Sequence, residues 1–100
     1  MKPEQFIREF GLKKARKVID GAPDWAMSIN LNNGMYYSRM EHKKGDTFLY
    51  DIKRLMESVD RVNAFGGLKD AKAVVKMGKH YKYLKAHISN YESIYGGGDE

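Results

Sequence analysis

The chain has no cysteine in its 100 residues. That excludes disulfides, thiolate catalysis and cysteine-held zinc or iron–sulfur centres. A reducing compartment fits, and the expected setting is cytoplasmic. No apolar run approaches the roughly 20 residues that cross a bilayer, so no membrane role is expected. The opening residues Met1–Gln5 lack the apolar core of a secretory signal. Histidine is scarce, limited to His42, His80 and His87. His80 and His87 stand about 10 Å apart along a helix axis, too far to share one ion. No metal and no cofactor is expected.

One further absence is local. Between Ala71 and Tyr91 there is no carboxylate. Lys72, Lys76, Lys79, Lys82 and Lys85 fall in that stretch and equal the whole net charge of +5. Such a surplus either keeps a helix face solvated or attracts a polyanion. Binding through phosphates would weaken as salt rises, because counterions are released. Tyr83 lies among these lysines, as an aromatic that can stack on a base.

What is present reads as a small α+β domain over residues 1–95 with a flexible tail at 96–100. Phe6, Ile7 and Phe10 share one helical face, while Leu12, Ala15, Val18 and Ile19 share another. One straight helix cannot bury both stripes. The reading is a helix at about 4–10, a bend at Gly11 and a helix at about 12–20, stopped by Gly21-Ala22-Pro23. The pattern returns as Phe65-Gly66-Gly67-Leu68 followed by Ala71, Val74 and Val75, with one extra glycine.

Met27 to Leu31 alternates apolar and polar residues, as a half-buried strand does. Asn33-Gly34 signals a two-residue type I′ hairpin turn, which pairs Leu31 with Tyr36 and Ile29 with Ser38. After a turn at Lys43–Asp46, either a third strand follows at Thr47–Leu49 or Asp46 caps a helix. Ile52, Leu55, Met56 and Val59 set a helix at about 50–59. Gly78 separates the Leu68–Val75 stripe from Met77, Tyr81, Leu84, Ile88, Tyr91 and Tyr95 on a last helix at about 79–95. That second stripe serves as core or as a homodimer seam through residues 77–95. The fold class is therefore α+β, an antiparallel hairpin or three-stranded sheet packed with four or five short helices. The core draws on Phe6, Phe10, Leu12, Val18, Ile19, Ile29, Leu31, Ile52, Leu55, Phe65, Leu68, Val74, Leu84 and Ile88.

No nucleophile elbow, phosphate-binding loop or dinucleotide fingerprint is present, and the carboxylates are dispersed. No catalytic residue is assigned and no enzyme is expected. As helix-turn-helix motifs the first helix–glycine–helix unit fails and the second half-fails, since nine residues after the turn glycine stand Asp20 in the first and the apolar Val75 in the second. The position six after the turn glycine, where an apolar residue belongs, is Lys17 in the first and Lys72 in the second. Lysines suit phosphates rather than base edges.

The segments Glu4–Pro23, Asp51–Val59 and Phe65–Leu68 resemble small accessory proteins of lambda-like phages and enterobacterial prophages. That resemblance implies action inside an infected bacterial cell. The expected function is non-enzymatic binding of a macromolecule. One version binds a host protein through Trp25, Tyr36, Tyr37 or Tyr83. The other binds nucleic acid through Lys72, Lys76, Lys79, Lys82 and Lys85, with Tyr83.

Overall fold

Glycine placement divides the helical segments. The computed structural model describes residues 2–78 and 81–96. Helix α1 (Pro3–Asp20) bends at Gly11, whose φ of +87° is outside helical space. A residue with a side chain rarely adopts that angle. The bend lets the Phe6–Ile7 and Ala15 faces turn inward separately, and all three residues are buried. Phe10, expected in the core, is 53% exposed and meets the Phe6 ring at 5.3 Å. It lies on the outside of the bend.

Strands β1 (Ser28–Asn30), β2 (Met35–Tyr37) and β3 (Thr47–Phe48) form an antiparallel sheet in the order β2-β1-β3. Of the two alternatives the third strand is found: α2 (Leu49–Ala64) begins directly after Phe48, and Asp46 does not cap it, since its Oδ2 accepts the Lys43 amide at 3.0 Å within the preceding turn. The register corrects the expected one. Ile29 pairs with Tyr36 and Asn30 with Met35. The loop is therefore four residues long, not two. Its cause is Asn30, whose Oδ1 accepts the Asn32 and Asn33 amides at 2.9 and 3.2 Å, while its carbonyl accepts the Gly34 amide at 2.7 Å. Only Gly34 in this turn has positive φ, so it is not type I′. The slip is two residues, which leaves every side chain on its expected face.

Helix α2 runs beyond the expected end at 59, because Val62 continues its buried stripe. It ends in a double backbone closure. The Gly67 amide bonds the Val62 carbonyl at 3.1 Å, and the Gly66 amide bonds Asn63 at 3.0 Å. Helix α3 (Leu68–Met77) starts at once, and α4 (Lys82–Tyr95) follows. The extra glycine thus turns a bend into a complete break between two helices. At Gly66 φ is +102°, and a Cβ there would collide with the Asp70 carboxylate. Gly67 has φ +113° with open space, and Gly78 is extended with open space. Alanine at Gly66 or Gly67 is expected to cost roughly 1–3 kcal/mol, because both have positive φ and the exposed Asp70 side chain can turn aside, and alanine at Gly78 nearly nothing. Urea midpoints of the three variants test that order.

The α+β class holds, with four helices and three strands among the described residues. Within it, backbone contacts delimit two compact units, Met1–Arg54 and Leu55–Glu100. Buried in the first are Phe6, Ile7, Ala15, Ile29, Leu49 and Ile52. Leu12, Val18, Ile19 and Leu31 are half-buried there. The second unit has a cluster of Val62, Leu68, Ala71, Leu84 and Ile88, with Phe65, Val74, Val75, Tyr81 and Tyr91 against it. Leu84 and Ile88 are spent on this core, so they are not available to a homodimer seam. Met77, placed on the same stripe by spacing, is 79% exposed. At the end of α4, Ile94 is buried and Tyr95 is 45% exposed. The Tyr95 ring packs on Tyr91 with centroids 4.9 Å apart, and burial raises its pKa. Of the expected tail, Gly96 is described and closes α4 with its amide on Glu92. The rest lies outside the described residues.

Candidate functional site

Lysines at 69, 72 and 76 recur at spacings of three and four, which places them along one face of α3. They span about 10 Å of helix axis. Lys69, Lys72, Ala73 and Lys76 line a hollow of about 270 Å³. A second hollow of about 260 Å³ is lined by Val75, Lys76, Gly78, Lys82 and Lys85. Lys76 belongs to both. The two form a lysine-lined track across α3 and the start of α4.

The expected basic residues therefore fare differently. Lys76, Lys82 and Lys85 converge on one hollow. Lys72 lines the neighbouring one, but its Nζ is 3.0 Å from Glu92 Oε2. Glu92 lies just past the carboxylate-free stretch and folds back onto it, so Lys72 does not present a full charge. Lys79 falls outside the described residues. Lys69 was missed, because Asp70 beside it masks it in a count of local charge; the three-and-four spacing was the available signal. At the start of α4 no acidic residue lies in the first turn and no side chain caps it from Tyr81. The helix dipole therefore adds to the positive potential there.

Tyr83 is 51% exposed and meets the His87 ring edge-on, with centroids 6.2 Å apart. His87 is itself held. Its Nδ1 lies 2.8 Å from Ser58 Oγ, and Asn90 Nδ2 donates to the same oxygen at 2.8 Å. Ser58 sits on the buried face of α2 between Leu55 and Val62, which is why a polar residue there needs partners. A serine beside a histidine invites comparison with a nucleophile and its base. Here the serine is wholly buried and the asparagine bonds the serine rather than orienting the histidine. The trio ties α2 to α4 and so fixes the ring on which Tyr83 leans.

The aromatic candidates of the first unit also separate. Trp25 is 58% exposed. Tyr37 is half-buried. Tyr36 is committed inward: its hydroxyl donates to the Val18 carbonyl at 2.5 Å, and burial pushes its pKa up. A Cβ on Gly21 would come within 3.4 Å of that hydroxyl. His42 stacks on Phe48 at 4.3 Å, and His80 falls outside the described residues. No helix among the described residues is long and apolar enough to cross a membrane. Comparison of the chain with protein-family models, with curated proteins and with solved structures finds no match.

Proposed function

We propose that this protein is a non-enzymatic binder of nucleic acid, holding phosphates along the lysine track of α3 and α4. One observation carries the reading: Lys76, Lys82 and Lys85 converge on a single open hollow, and Lys76 also lines a second beside it. Each hollow is below the roughly 300–1,000 Å³ of small-molecule pockets, whereas a polymer backbone can run through both. Lysines act as point charges for phosphate and carry no base code, so binding is not specific for sequence. The resemblance of the opening segment supports an accessory role in phage biology, in the cytoplasm of a bacterial cell.

A salt series with a generic oligonucleotide tests this. Three or four neutralised phosphates imply a slope of log affinity against log salt of about −2 to −3. No retention at low salt would dispose of the reading.

A protein partner is the second reading. It is favoured by the exposure of Trp25, since tryptophan left in water is a common anchor at interfaces.

A further inference from the structure

We infer that the nucleic acid held by this track is single-stranded, with a base stacked on Tyr83. This rests on the function proposed above and adds the class of strand. A duplex offers a lysine track only its phosphates; its bases are already stacked on one another. Among nucleic acids, an aromatic ring held out beside the track finds a stacking partner only where bases are free. Tyr83 is that ring. It follows Lys82 directly on α4, and Lys82 lines the hollow. By helical phase, Tyr83 lies on the flank of α4 away from Lys85, with Lys82 between them. A strand whose phosphates sit at Lys76, Lys82 and Lys85 can lay a base over that flank.

The ring is also placed rather than free. Its edge-on contact with His87 leaves half its surface open, and His87 is pinned to the buried Ser58 hydroxyl. A stacking platform fixed before binding loses little side-chain freedom when a base arrives. Val75 and Ala73 line the hollows between the lysines and give sugar and base edges an apolar floor.

The experiment measures binding of a labelled oligothymidylate strand, alone and annealed to its complement, at low ionic strength. The single strand is expected to bind more tightly. Tyr83→Ala is expected to weaken it by about fivefold to a hundredfold, the range of one base–aromatic stack. Tyr83→Phe keeps the affinity, because the ring remains, and Tyr83→Ala leaves the duplex unaffected. Tighter binding of the duplex overturns the inference, as does an unchanged single-strand affinity in Tyr83→Ala; both leave the lysine track standing. If neither form binds, the proposed function falls with it. Circular dichroism of each variant confirms that α4 is intact.

Discussion

Leu84→Ala is expected to lower the stability of the protein by about 2–5 kcal/mol. Leu84 has no exposed surface and sits among Val62, Leu68, Ala71 and Ile88. Truncation removes three carbons of buried side chain and leaves a cavity between α2, α3 and α4. Three of its neighbours are small or β-branched, Ala71, Val62 and Ile88, and are poorly able to reach into the space. The whole fold of a small protein is stable by only about 5–15 kcal/mol, so the loss is a large share. Val74→Ala on α3 is the control. Val74 is half-buried, and its change is expected to stay near 1 kcal/mol. Urea denaturation followed by circular dichroism measures both, and equal midpoints would refute this account of the core.

The second large effect concerns the lysine track. Lys82→Glu combined with Lys85→Glu is expected to weaken nucleic-acid binding on the order of a hundredfold, since each reversal removes a phosphate contact and adds repulsion. The fold is not the casualty. Both positions lie near the start of α4, where a carboxylate suits the helix dipole. A matched pair of reversals in the first unit, Lys13→Glu with Lys43→Glu, makes the same change in net charge. Both of those residues are exposed and remote in sequence from the track. If the matched pair weakens binding equally, overall charge rather than the hollow is responsible. A preserved affinity in the Lys82/Lys85 variant would remove the site.

Much of the fold was legible because glycine and apolar spacing act locally. Gly11 and Gly66-Gly67 mark the helix breaks by themselves, and Ile52 to Val59 fixes α2 without reference to anything distant. The errors arise where a local side-chain bond or the direction of a bend decides. Asn30 captured two amides of its own turn and displaced the two-residue loop that Asn33-Gly34 favours alone. Phe10 has the apolarity of a core residue, but the bend at Gly11 puts it outside. The lysine surplus was visible as a run without carboxylates. Its geometry was not, since Lys69 joins it through helical phase and Glu92 enters it through tertiary packing. Ser58 was not singled out by the apolar spacing; only the fold puts it on the buried face of α2, where His87 and Asn90 of α4 supply its partners.

The contact between Lys72 and Glu92 gives the track a character of its own. An incoming phosphate meets, at that lysine, a carboxylate already installed. Occupancy there proceeds by replacing one anion with another, and the protein's own anion returns as soon as the visitor shifts. On the proposed function, phosphate exchange at Lys72 is expected to be faster than at Lys76, because Glu92 on the next helix replaces each departing phosphate.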